Sequence, residues 1–182
     1  MTVLEKLEPG LLVAFEGLKI GGWAVERVQV RLAENYGFTE ADCRLGHWAL
    51  TKNDLGGLIE MTTHGINFRS LPAGESGVRF FRHPGIVTAA QQKECVRTAL
   101  VVALGRADKR RKYDWGLIVN EWLGSFGMEP DINIENDLIC TEFPYAVWIA
   151  MGMPVETDNF LPAMAGVLGR SGRLEEVSIA NW

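Results

Sequence analysis

In NDLICTEFPYAVW, residues 136–148, a cysteine follows a short apolar run and precedes apolar residues that recur at helical spacing. A helix beginning at Cys140 and running to about Gly152 puts the thiol where unpaired backbone N–H groups and the positive end of the helix dipole favour a thiolate. Pro144 supports that start, because proline lacks the N–H a helix interior uses and is tolerated only near the first turn. A thiolate so placed points to nucleophilic catalysis, which also needs a base. The chain offers 3 histidines, His47, His64 and His83. His83 precedes Pro84 at a strand end without a carboxylate near it in sequence and reads as structural. His47 lies in RLGHWALTKNDLGGLIEMTT, two short strands around a turn rich in Asn, Asp and Gly. A turn centred between Asn53 and Asp54 sets His47 directly opposite Glu60, with Cβ atoms ~4.5–5.5 Å apart, close enough for a carboxylate to hold an imidazole. A slip in register would part them, and the plainer alternative is an ordinary strand histidine and a surface carboxylate. His64 is the runner-up to Glu60, although it would point away from Glu60's face or sit in the turn before Gly65.

The elements that must position these groups follow from pattern. PGLLVAFEG (9–17) reads as a turn and a buried strand. WAVERVQVRLAENYG (23–37) fits both a helical face and alternation, and the Ala-Glu-Asn tail ahead of Gly37 favours helix. After the hairpin come strands at INFRSL (66–71), opened by Gly65, and GVRFFRH (77–83). TAAQQKECVRTALVVALG (88–105) has Thr88 and Gln91 at capping-box spacing and is expected to stop at Gly105, with Cys95 on its apolar side as a core residue. YDWGLIVNEWLGSFG (113–127) reads as a shorter helix, followed by the loop MEPDINIEND. Strands grouped together between helices predict an α+β fold rather than an alternating parallel α/β one.

Composition narrows the function classes. With 182 residues, 47% of them hydrophobic, the chain suits one well-cored domain spanning 1–182. A net charge of −5 and a pI near 5.3 argue against a general nucleic-acid binder. The basic run KRRK (109–112) reads as a solvated loop, with an anionic docking patch as the alternative. The N-terminus carries acidic residues where a signal peptide would be positive, so a cytoplasmic, soluble protein is expected. No window approaches the ~20 apolar residues of a membrane span. The 3 cysteines, Cys43, Cys95 and Cys140, are odd in number and irregularly spaced, which speaks against a disulfide framework. Cys43 and His47 form C-x3-H, half of a zinc pattern, but Cys140 and His64 lack the paired spacing to complete it, so no metal is expected. Without a complete G-x-G-x-x-G or G-x-x-x-x-G-K, no cofactor is implied, and GRSG (169–172) is a loop signal.

The order Gly46-His47, Leu58-Ile59-Glu60, Tyr113-Asp114, Cys140-Thr141-Glu142-Phe143 resembles the circularly permuted papain-like hydrolases related to the NlpC peptidases, the YiiX/YaeF group. The resemblance covers roughly residues 9–157. Thr141 stands where serine is usual, Pro144 sits within the helix start, and segment 23–43 has no counterpart. The resemblance implies an antiparallel sheet packed against helices with the cysteine at a helix N-terminus. It also implies Cys140 as nucleophile, His47 as base and acid, and Glu60 orienting the imidazole, so that a cysteine-dependent amidase, peptidase or esterase is expected. The oxyanion would be met by the Cys140 N–H and, by resemblance, the Tyr113 hydroxyl; a packed aromatic is the alternative for Tyr113. Asp114 reads as a helix cap and Glu142 as offsetting the dipole or capping the helix. Expected substrates are a small acyl, lipid or peptide group, including a cell-wall peptide if a phage or secretion route delivers the protein. The contrasting class is a non-enzymatic ligand-binding module on the same fold.

Overall fold

The computed structural model describes residues 2–17, 22–62, 64–72, 74–107, 123, 139–157 and 159–180. Its strands are β1 Thr2–Leu4, β2 Leu12–Glu16, β3 Leu45–Thr51, β4 Gly57–Thr62, β5 Gly65–Ser70, β6 Val78–Arg82 and β7 Glu175–Ile179. Five helices accompany them among the described residues: α1 Gly22–Tyr36, α2 Glu40–Cys43, α3 Ala89–Ala107, α4 Glu142–Ala150 and α5 Met164–Arg170. The fold is therefore α+β.

The ambiguous segment ahead of Gly37 is helix α1, closed where Gly37 takes φ +69° and the Phe38 N–H bonds back to the Ala33 carbonyl at 3.0 Å. The capping box at Thr88 forms: Thr88 N–H donates to Gln91 Oε1 at 2.9 Å and Gln91 N–H to Thr88 Oγ1 at 3.3 Å. The helix it opens does not stop at Gly105 but continues to Ala107. Gly105 does not adopt positive φ, and a glycine ends a helix through that conformation rather than by its presence alone. The expected helix at 113–127, with Tyr113 and Asp114, and the KRRK run lie outside the described residues, Leu123 apart.

All seven strands share one sheet in the order β1-β7-β6-β2-β3-β4-β5, antiparallel except for the β1–β7 pair. Side-chain alternation divides its residues between two cores. Leu12, Ala14, Trp48, Leu50, Ile59 and Met61 join the helices in the larger core, where they meet Val28 and Leu32 of α1, Cys95 and Ala99 of α3, and Phe143 and Val147 of α4. Val13, Phe15, Ala49, Leu58 and Phe80 form a second core with Leu4, Leu7, Leu11 and Leu71. Among the described residues no helix is long and apolar enough to cross a membrane.

Candidate active site

The β3–β4 hairpin is built around Asn53. Its Oδ1 accepts from the Leu55 and Gly57 N–H groups at 3.1 and 2.9 Å, and Gly56 supplies the positive φ of +81° that the loop needs. Asn53 thus opens the turn rather than sharing its centre with Asp54, and the register moves accordingly: Glu60 pairs with Ala49, not with His47. A shift of two partners leaves both side chains on the same face, as the twofold repeat of a strand requires. His47 and Glu60 are diagonal neighbours, and their long side chains close the gap, with His47 Nε2–H donating to Glu60 Oε2 at 2.9 Å.

Glu60 is 3% exposed, yet every side of its carboxylate is occupied. Asn67, directly opposite on β5, donates its Nδ2–H to Oε1 at 2.9 Å, and Arg69 reaches both oxygens from Nε at 3.0 and 3.1 Å. Burial alone would raise the carboxyl pKa; hydrogen bonds and charge from His47, helped by Asn67 and Arg69, overcome it and bring the group down to about 2. Asn67 and Arg69 did not emerge from the sequence reading. Their signal was the alternation in INFRSL, which puts both on one face of the strand that follows Glu60.

His47 is also buried, and burial would lower its pKa. Against this, the charge of a Cys140 thiolate and a hydrogen bond to Cys140, with the Glu60 hydrogen bond and charge, raise it to about 9. Because Nε2 is committed to Glu60, Nδ1 is the nitrogen left for the sulfur. His47 stands next to a β-bulge: Phe15 pairs with His47 and Glu16 with Leu45, so Gly46 is the extra residue. Such a bulge increases local twist and re-aims side chains. Here it lies at the end of β3 where His47, opposite Phe15 of the second core, meets Cys140, counted in the first.

Helix α4 begins at Glu142, two residues later than the spacing around Cys140 implied. The entry turn is fixed from both sides: the Thr141 hydroxyl donates to the Phe160 carbonyl, and the Ile139 N–H donates to Glu142 Oε2 at 2.8 Å. Glu142 thus ties the chain ahead of the helix to its first turn, and its charge near the helix start offsets the dipole. Pro144 falls in the first turn, where its missing N–H costs nothing. The other end closes with Gly152 at φ +71°, its N–H on the Ile149 carbonyl and the Met153 N–H on the Trp148 carbonyl, both at 2.9 Å.

The remaining candidates sit elsewhere. His64 is exposed in the β4–β5 turn, and it is Glu60 that holds His47. His83 Nδ1 accepts from the Gly85 N–H at 3.0 Å, its ring lies 5.4 Å from that of Trp148, and burial lowers its pKa. Cys43 and Cys95 are core residues. A groove of about 460 Å³ runs along the outer face of α4, lined by Tyr145, Ile149, Val155 and Phe160 among others, but neither Cys140 nor His47 lines it. Comparison of the chain with protein-family models, with curated proteins and with solved structures finds no match.

Proposed function

We propose that this protein is a cysteine-dependent hydrolase of amides or esters that works through an acyl-enzyme on Cys140. The observation that carries the reading is the continuous set of contacts from Cys140 to His47 to Glu60, with the imidazole held between a sulfur and an ionised carboxylate. An imidazolium beside sulfur favours the thiolate. The thiolate attacks the acyl carbonyl carbon, and the tetrahedral adduct collapses to a thioester as His47 gives its Nδ1 proton to the departing amine or alcohol. Neutral His47 then takes a proton from water, whose oxygen attacks the thioester carbonyl; the acid leaves and the thiolate–imidazolium pair returns. Glu60 fixes the tautomer and stabilises the imidazolium throughout. The Cys140 N–H and the Tyr113 hydroxyl are the proposed oxyanion donors.

The arrangement of parts supports a permuted papain-like architecture: a sheet strand carrying histidine, a neighbouring strand carrying glutamate, then a cysteine just ahead of a helix packed in the sheet's core. The substrate class proposed on that basis is an acyl group on a peptide, lipid or amine. A specific observation favours the second reading, a ligand-binding module without turnover: Cys140 is only 1% exposed, so a carbonyl reaches the sulfur only when neighbouring groups move aside.

Intact mass after incubation with an activated acyl ester or an electrophilic amide probe separates the two. Hydrolysis predicts an adduct at Cys140 in the wild type that is lost in Cys140→Ala and in His47→Ala, since members of one catalytic unit fail together. A folded protein that forms no adduct across acyl and peptide probes is a binding module.

A further inference from the structure

We infer that Arg69, assisted by Asn67, is a positioning residue of the proposed hydrolase: it keeps the Glu60 carboxylate ionised and aimed at His47, and through it sets the charge on the Cys140–His47 pair. This rests on the hydrolase reading and adds residues which that reading does not need to name.

A carboxylate taken out of water without donors would hold a proton, and a protonated Glu60 could not draw charge onto the imidazole. At 3% exposure Glu60 has only its neighbours to satisfy it. One oxygen takes Asn67 and Arg69, the other takes His47 and Arg69. Arg69 is itself held in place. Its guanidinium carbon sits 4.6 Å from the centroid of the Phe15 ring, and the same ring lies 5.9 Å from the imidazole. Phe15 thus walls Arg69 and His47 on one side while Glu60 ties them on another. The side chain of Arg69 is 35% exposed, so its charge is partly screened; its contact with both carboxylate oxygens keeps the interaction local. The titratable and charged groups acting on Glu60 among the described residues are His47 on β3 and Arg69 on β5, with Cys140 acting through His47. Removing Arg69 therefore takes away the cation that, among the described residues, bonds both oxygens of this carboxylate, and leaves Glu60 held by His47 and Asn67, freer to turn its oxygens away from the imidazole.

The test is the pH dependence of iodoacetamide alkylation at Cys140, followed by peptide mapping on folded full-length protein. In the wild type the half-maximal rate is expected well below that of an ordinary thiol. Arg69→Met should move that midpoint up by about one pH unit, cutting the rate about tenfold at pH values below the wild-type midpoint. In a Glu60→Gln background the same change should add almost nothing, because Arg69 acts through Glu60. If Arg69→Met fails to fold, Asn67→Ala carries the test with a smaller rise, about half a unit. A midpoint unmoved in the folded variant, or an equal shift with and without Glu60, overturns the inference and leaves the hydrolase intact. A wild-type Cys140 that alkylates like an ordinary thiol instead overturns the hydrolase reading itself.

Discussion

Cys43, Cys95 and Cys140 are buried alike, at 3%, 0% and 1% exposure, so access does not rank their reactivity. Charge does. Burial pushes the Cys95 thiol up to about 12, and burial followed by the charges of Asp42, Glu26 and Glu40 raises that of Cys43. Cys140 alone meets an imidazole. Limited iodoacetamide near neutral pH should therefore label Cys140 first, and peptide maps showing Cys43 or Cys95 ahead of it would count against a thiolate nucleophile. His47 sets a second expectation. Its proton serves the leaving group, so acyl transfer should fall as pH rises through about 9, with adduct formation against pH as the measurement. Glu60→Gln keeps the shape and removes the charge; adduct formation is expected to drop ~100-fold or more, and undiminished activity would strip Glu60 of its role. The sequence pointed to Cys140 through a proline-marked helix start and to His47 and Glu60 through few histidines, the hairpin and the family resemblance, and the structure brings His47 and Glu60 together. Arg69 and Asn67 were not legible there, since a donor to a carboxylate has no sequence signature apart from the strand face it shares.

At the scale of elements, the short helices depend on one buried carboxylate. Asp42 on α2, fully buried, takes Arg79 Nη1 from β6 at 2.7 Å and Arg170 Nη1 from α5 at 2.6 Å, and accepts from the Thr39 N–H at 2.8 Å. Gly166 lets α5 lie on it: a Cβ there would fall 1.6 Å from Asp42 Oδ1. Gly166→Ala must displace either the helix or the ion pairs, and should cost about 3 kcal/mol, read as a lowered melting temperature. An unchanged melt would mean that α2 and α5 part without penalty. The hairpin shows how far pattern reaches. Asn, Asp and Gly announced a turn and the alternation fixed the faces, but which residue opens the turn depends on where the Asn53 side chain bonds, and that moved the register by two partners. Strands β1 and β7 escaped notice for a different reason. Thr2–Leu4 has 3 residues, and Glu175–Ile179 opens on two glutamates that read as surface loop until Arg82 and Arg79 are seen to pair with them.

For the molecule as a whole, these internal carboxylates tie stability to pH. Glu60 titrates at about 2 when folded and at 4.5 ordinarily, so its contribution is complete above 4.5 and is lost as pH falls through about 2. Asp42 adds to the same acid limb: burial opposes its charge, but Arg79, Thr39 and Arg170 together lower its pKa below 3.8. His83, held neutral by burial, contributes above 6.5 and loses that contribution as pH falls through its lowered value. All three signs agree, so acid weakens the fold in stages, first by charging His83 and then by discharging Asp42 and Glu60. The stages can be separated because glutamine mimics a protonated Glu60 at every pH. Glu60→Gln should be less stable than wild type at pH 6, and the gap in urea midpoint should narrow as pH falls below about 4.5 towards 3, because Glu60 of the unfolded wild-type chain takes up its proton while the folded protein keeps the carboxylate ionised. A gap that stays constant over that range would mean that folding does not lower the Glu60 pKa. His47, Asn67 and Arg69 would then give the buried carboxylate no net preference for its ionised form, and the site would lack the means to hold an imidazolium against Cys140.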